Sequence, residues 1–318
     1  MDSTSTNSKT YSLSYNGTGG DYFGVIIVNW LLTVLTLGIF YPWAKANQLK
    51  YIYGSSSLNS DAFAFHGTGK EMFKGFLKTI LIFGALMIIF GALSRVNPVA
   101  AVVVLYLGIF AIMPLAIHGS YRYRMSRTSW RGIRFAYKGN RNELSMNFYK
   151  WVFLTVITFG IYGSWMVVNL REYLISNIKF GNIEFNYKAD GGTLLIINIK
   201  GYFLTILTLG IYAAWWQKDL FEFYVNNTKL TKDDKTLSLK STVTGGGFFK
   251  LFLVNLLIVV FTLGLGYAWV VTRTMKYIFT NIEIDGDIDL DSISQSDENF
   301  TNATGDEMAD FLDIDFII

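Results

Sequence analysis

Cysteine is absent from the 318 residues, which removes disulfides, thiolate metal sites and a cysteine nucleophile from consideration. Histidine is nearly absent. His66 and His118 are the only two, too few for a histidine-based metal cluster. Charge is scarce: Asp, Glu, Lys and Arg make up 16% of the chain, against about 25% in ordinary soluble domains. The first 23 residues lack the short basic region and apolar core of a cleavable signal, so the apolar run from Tyr22 is expected to act as an uncleaved anchor. No Gly-x-Ser-x-Gly elbow or Gly-rich phosphate loop occurs, and no lone acid sits within an apolar run as a proton relay requires. No catalytic, cofactor-binding or metal-ligating residue is therefore expected, and the chain reads as non-enzymatic.

Apolar and aromatic residues are abundant, at 52% and 17%, with 26 Phe and 19 Tyr. This balance points to a bilayer. One octapeptide organises the chain: Thr36–Trp43 reads TLGIFYPW, and close copies stand at Thr158–Trp165, Thr208–Trp215 and Thr262–Trp269. In each copy a Gly follows the Thr by two residues (Gly38, Gly160, Gly210, Gly264) and the Trp follows by seven. Repeats at fixed spacing decide architecture before other signals do. The Gly permits close helix approach or a local break, and the Thr hydroxyl can bond back to the preceding turn. The aromatic residues suit the headgroup level. The motif is read first as a helix-end anchor repeated for packing.

Short alternating stretches closed by Gly precede the apolar runs: Tyr11–Tyr15, Phe63–Phe65, Ile133–Phe135, Ile183–Phe185 and Leu237–Lys240. They read as short strands and turns. After each signature Trp an aromatic follows at eight residues (Tyr51, Tyr173, Phe223, Tyr277), and Ser55, Asn177, Asn227 or Asn281 four further on marks a helix end. Tyr123 begins a fifth, degenerate copy.

Six apolar runs, at 22–44, 76–93, 99–118, 148–168, 194–216 and 249–271, each approach the ~20 residues needed to cross a bilayer. The expected fold is thus an α-helical polytopic membrane protein, with tandem repeats of a transmembrane helix plus short juxtamembrane β-strands, which the alternation predicts to pair into a small surface sheet. The expected divisions are a mobile N-terminus over 1–10, a repeated membrane domain of about six spans over 11–285, and an acidic tail over 286–318. Segments 45–78, 119–150 and 217–250 hold 19 of the 27 Lys and Arg. Six simple crossings put these on one side, cytoplasmic by the positive-inside bias, but then similar repeats face opposite sides. Re-entrant half-spans at the Thr-Gly breaks are the alternative, and they leave every strand on the cytoplasmic side. The sequence leaves both open.

Arg122, Arg124, Arg127, Arg131 and Arg134 form the densest basic stretch and read as contacts to anionic lipid headgroups. No nucleic-acid motif accompanies them. His66, near Asp61 and Glu71, reads as a turn residue, because Asn16 takes the same place in the first unit. Half of the 24 acidic residues lie beyond Lys276. Asp287, Asp289, Asp291 and Glu298 have calcium-loop spacing, but Ser292 stands where the loop needs Gly, so a solvated tail is preferred. Its end, Met308–Ile318, is a candidate contact for a protein partner or a second copy.

The repeated Thr-Leu-Gly-Ile-Phe/Tyr with its Trp, and the strand followed by Gly-Thr-Gly and Phe (Phe65–Gly69 to Phe73), resemble the YjgN-type bacterial inner-membrane proteins. Similar units cover residues 11–285. The resemblance implies a multi-pass inner-membrane protein of a family without an established activity, and it carries over no site residues. A non-enzymatic scaffold or lipid-organising role is the first functional reading, with membrane lipids as partners. A transporter or channel is the second, with Thr158, Asn169 and Thr208 facing a cavity.

Overall fold

A computed structural model of the protein describes residues 9–233, 235–286 and 288–295, with Lys9, Thr10 and Asp291 by their backbones alone. Of the expected mobile N-terminus over 1–10, residues 1–8 lie outside the described residues, as does the tail segment Met308–Ile318, while Lys9 and Thr10 belong to the first strand. Five units follow one another, each a strand, a helical hairpin and a second strand. The first is β1 (Lys9–Tyr15), α1 (Gly19–Leu35), α2 (Tyr41–Ser55) and β2 (Ser56–Leu58). The second is β3 (Asp61–Phe65), α3 (Gly69–Ser94), α4 (Pro98–Arg127) and β4 (Thr128–Trp130). The third is β5 (Ile133–Tyr137), α5 (Arg141–Ile157), α6 (Gly163–Ser176) and β6 (Ile178–Phe180). The fourth is β7 (Ile183–Tyr187), α7 (Gly191–Leu207), α8 (Ala213–Asn226) and β8 (Thr228–Lys232). The fifth is β9 (Lys235–Ser241), α9 (Gly245–Phe261), α10 (Tyr267–Thr280) and β10 (Ile282–Gly286).

Each first helix begins at a polar N-cap. Thr18, Asn140, Asp190 and Thr244 accept from amides of the first turn, and Thr68 forms a full capping box with Glu71. In the first and third units a tyrosine of the returning helix then clamps that cap. Tyr51 Oη donates to the Thr18 carbonyl and accepts from the Thr18 amide, at 3.0 and 2.9 Å. Tyr173 does the same at Asn140, at 2.9 and 2.8 Å. Asn177, Asn227 and Asn281 cap the returning helices, each donating to the carbonyl four residues back.

The ten strands pair antiparallel in chain order, and β1 closes on β10 with Tyr11 opposite Ile284. This closed barrel corrects the expected polytopic helical fold. Strand order and antiparallel pairing put every helical hairpin at one end of the barrel and the tight turns 59–60, 131–132 and 181–182 at the other. Six alternating crossings would scatter the strands over two sides, which closure forbids. The apolar runs at 22–44, 148–168, 194–216 and 249–271 are each broken at Thr-Gly into two helices of 14–17 residues. Seventeen residues span about 25 Å, short of a ~30 Å hydrocarbon core. Among the described residues only α3 and α4, 26 and 30 residues long, are long and apolar enough to cross a membrane.

The barrel lumen is packed with inward side chains of alternating strand positions. Tyr11, Trp130, Phe180, Ile183, Leu237 and Ile284 form its buried core. The acidic tail contributes to this core, because its Ile288 and Ile293 pack into the same cluster. Tyr11 Oη accepts from the Ile288 amide at 3.2 Å and donates to the Ile288 carbonyl. Lys232 Nζ donates to the Ser292 carbonyl at 2.9 Å, and Gln295 Oε1 accepts from the Arg134 amide at 2.8 Å. Residues 288–295 thus stopper the barrel at its turn end.

Candidate functional site: the ring of hairpin tips

Each helix packs against its neighbours in chain order, and α10 packs against α1, so the ten helices form a closed ring. The signature motif makes the tips of four of the five hairpins. Leu37, Phe159, Leu209 and Leu263 hold φ of 50–51°, and the following Gly38, Gly160, Gly210 and Gly264 hold φ of 87–97°. These left-handed residues reverse the chain. Glycine tolerates that backbone, whereas a bulky L-residue is strained by about 1–2 kcal/mol. The strained position nonetheless carries a large apolar side chain in all four tips, and those side chains are 92–97% exposed.

The tip backbone satisfies itself. The Thr36 amide donates to Leu32, Leu37 to Val34, Gly38 to Thr33, Ile39 to Thr36 and Tyr41 to Gly38. The Phe40 amide donates to Thr36 Oγ1 at 3.0 Å, while that hydroxyl donates to the Leu32 carbonyl at 2.7 Å. The Thr therefore ties the end of one helix to the start of the next. Thr158, Thr208 and Thr262 repeat the bond pair. A turn with no amide seeking water is what hydrocarbon requires.

The signature Trp is expected at the headgroup level. The structure shows its packing role. Trp43, Trp165, Trp215 and Trp269 seat on Gly69, Gly191, Gly245 and Gly19, the first residues of α3, α7, α9 and α1. A Cβ added at any of these glycines would fall 2.2–2.5 Å from the indole. A residue near one tip therefore touches the foot of the next hairpin, so each short hairpin leans across its neighbour. The fifth seam, α4 to α5, has no Trp–Gly pair. Tyr149 Oη donates to the Ala111 carbonyl at 2.8 Å there, and Phe110 packs on Tyr149 at 5.3 Å. Polar pairs clasp the two arms of single hairpins: Asn47 donates to Asn29 at 3.0 Å, and Asn255 to Thr274 at 3.0 Å.

The second hairpin differs at its tip as well as in length. Its turn, Arg95–Asn97, sets two polar residues around an exposed Val96, and Asn97 caps α4 through the Ala100 amide at 3.1 Å. Arg95 is the only Lys or Arg at any of the five tips.

The five arginines of the basic stretch do not share one surface. Arg122 and Arg124 lie on α4, and Arg124 is only 7% exposed. Arg127 makes a two-pronged ion pair with Glu71, at 3.0 and 3.2 Å. Arg131 sits in the β4–β5 turn, paired with Asp61 and stacked on Trp130. Arg134 lies on β5 beside the tail. Thr158 and Thr208 are locked in the tips and Asn169 donates to Tyr162 Oη at 3.3 Å, so the structure does not bring these three to one cavity. His66 Nε2 hydrogen-bonds Ser129 Oγ at 2.7 Å, and its counterpart Asn16 donates to Ser57 Oγ at 3.4 Å. Burial, then Arg134, Arg127 and Lys50, hold the His66 pKa below its usual value, so the ring is neutral near pH 7. Sequence reasoning missed the tyrosine clamps, the seam glycines and the burial of Arg124. A signal for the last was present, since α4 carries Arg where the corresponding positions hold Ile52, Leu174, Tyr224 and Ile278.

A ring of ten helices on a ten-stranded barrel, with four apolar tips presented outward, is the architecture of the described residues. The family described as "Bacterial protein of unknown function (DUF898)" matches residues 10–196 and 216–311, and the chain belongs to that family. It is similar to "Inner membrane protein YjgN" of Salmonella typhimurium strain LT2, 31% identical over 128 residues, which cover 40% of this chain and 31% of the relative. It is also similar to the protein of that name from Escherichia coli strain K12, 32% identical over 143 residues, covering 45% and 34%. The chain spans about a third of the length of these curated relatives. No solved structure matches it.

Proposed function

We propose that the protein is a non-enzymatic, lipid-organising component of the inner membrane, seated with its barrel in the cytoplasm. On this reading four short hairpins enter one leaflet and the long α3–α4 hairpin crosses the bilayer. The observation that carries this is the set of four tips, where a large apolar side chain is held outward at the expense of backbone strain. In water those side chains and their strain are unfavourable; in hydrocarbon each side chain gains about 1.5–3 kcal/mol. The names of the relatives agree with a membrane setting. At 1.5 Å per residue α3 and α4 reach about 39 and 45 Å, and their polar tip suits the far interface. The scarcity of cations at the tips and their abundance near the barrel support a cytoplasmic barrel.

The absence of cysteine makes the test direct. Single cysteines at Asn140, Asn182 and Lys229 on the barrel side should react with a water-soluble maleimide only after spheroplasts are permeabilised. Arg95→Cys should react in intact spheroplasts, and Leu209→Cys should react slowly from both sides. Labelling of Leu209→Cys as fast as Asn182→Cys would remove the membrane reading.

A further inference from the structure

A cavity of about 400 Å³ opens between α9 and α10, toward the barrel end of the hairpin. Ligand sites commonly occupy about 300–1,000 Å³. Lys250, Arg273 and Lys276 line it, beside the start of α9 at Gly247 and the end of α10 at Thr280. Among the described residues no carboxylate lines it, and none forms an ion pair with these three cations.

The repeat allows the same place to be compared in all five units. The positions are the third and sixth residues after the cap of the first helix, and the fourth and first before the aromatic of the returning helix (Tyr51, Tyr123, Tyr173, Phe223 or Tyr277). The first unit has a groove of about 530 Å³ there, where Asp21, Gly24, Asn47 and Lys50 balance to no net charge. The second unit holds Glu71 at these positions, the third Glu143 and Glu172, and the fourth Asp219 and Glu222. The fifth unit alone has no acid there, and it has three cations.

Arg273 and Lys276 stand three residues apart on one helix, where like charges repel. A phosphate offsets that repulsion, and its oxygens suit both a guanidinium fork and an ammonium. Lys276 lies nine residues along α10 from the tip and Lys250 eleven along α9, about 14 and 16 Å. One leaflet of a ~30 Å hydrocarbon core is about 15 Å deep. With the tips in hydrocarbon, these cations stand at the level of the lipid phosphates. Arg273, a turn nearer the tip, gains that level by the length of its stem.

We propose that this groove binds a phospholipid headgroup with two phosphate charges, of the cardiolipin class, one phosphate on Lys250 and the other on the Arg273–Lys276 pair. The lipid as the source of phosphate rests on the membrane reading above, whereas the cationic groove does not.

The full chain, purified and stripped of lipid in detergent, is titrated with tetraoleoyl cardiolipin, dioleoyl phosphatidylglycerol or inorganic phosphate and followed by native mass spectrometry. One cardiolipin per chain is expected, held at least about tenfold more tightly than phosphatidylglycerol, which brings a single charge. Millimolar inorganic phosphate should not displace it. The triple variant Lys250→Gln, Arg273→Gln, Lys276→Gln should bind cardiolipin at least about tenfold more weakly while its melting transition persists. Lys240→Gln, on the barrel, should bind as the wild type does. Equal affinity for the two lipids, displacement by inorganic phosphate, a folded triple variant with undiminished binding, or equal weakening by Lys240→Gln each overturns the proposal. Should the triple variant not fold, Lys250→Glu decides. It returns a carboxylate to the groove, so retained cardiolipin binding overturns the proposal. Failure here leaves the cysteine labelling in membranes untouched, so the two readings fail separately.

Discussion

At the residue scale, the tip glycines and the seam glycines are constrained by different forces. Gly210 has a φ of 97° and open space around a would-be Cβ. Gly210→Ala should therefore cost about 1–2 kcal/mol through backbone strain alone, read as a lower unfolding midpoint in detergent. Gly69 has no positive φ, but a Cβ there meets the Trp43 ring at 2.3 Å and the Trp43 Cα at 2.7 Å. Gly69→Ala should cost about 1–3 kcal/mol by overpacking, and Trp43→Leu in the same chain should recover part of that cost. The same second change should do nothing for Gly210→Ala. His66 adds a pH dependence. Its folded pKa is depressed, so the unfolded chain binds the proton more readily. Its contribution is complete above the unfolded value of about 6.5 and is lost as pH falls toward the folded value. His66→Asn, which copies Asn16, should flatten the fall in melting temperature between pH 7 and pH 5; an unchanged slope would assign that fall to other groups.

At the scale of elements, the octapeptide announced a break at each Thr-Gly, and the structure places a reversal there in all four copies. The helix ends at Asn177, Asn227 and Asn281 were equally readable from their spacing. The barrel was not. Alternation marks six of its strands, Ile282–Ile284 of β10 included, but β2, β4 and β6 are three residues each and follow a helix with at most one residue between. Three residues carry no readable period, and without them six isolated strands look like surface decoration. The length of each apolar run misled for a related reason. A run of some twenty residues suits one crossing helix, and only the left-handed pair at Leu-Gly shows that it folds back on itself. The site was legible to the extent that the motif named the tip residues. The lean of the hairpins was hidden, because the partner of each Trp is a glycine some 26–30 residues away in sequence, or at the opposite end of the chain for Trp269.

At the scale of the molecule, the tail was read from its charge as a solvated segment, yet 288–295 closes the turn end of the barrel. Ile288, Leu290 and Ile293 stand between acids, and the acidic count concealed them. Ile288 is 1% exposed. Ile288→Ala should destabilise the whole protein by about 2–5 kcal/mol, measured as a shift in denaturant midpoint with an unchanged slope. An effect confined to local proteolysis of the tail would mean that the stopper is dispensable to the barrel.

Closure has a consequence in time. Tyr11 finds Ile288 277 positions further along the chain, and β1 finds β10 only when nearly the whole described chain exists. At about 5–20 residues per second the ribosome needs roughly 15–55 s to supply that partner. Through that interval the first strand has one bare edge while successive helical pairs are already emerging, so assembly must run as an open arc that snaps shut last. A chain stalled before Ile282 would leave both edges of the arc unpaired, a ready template for joining another copy.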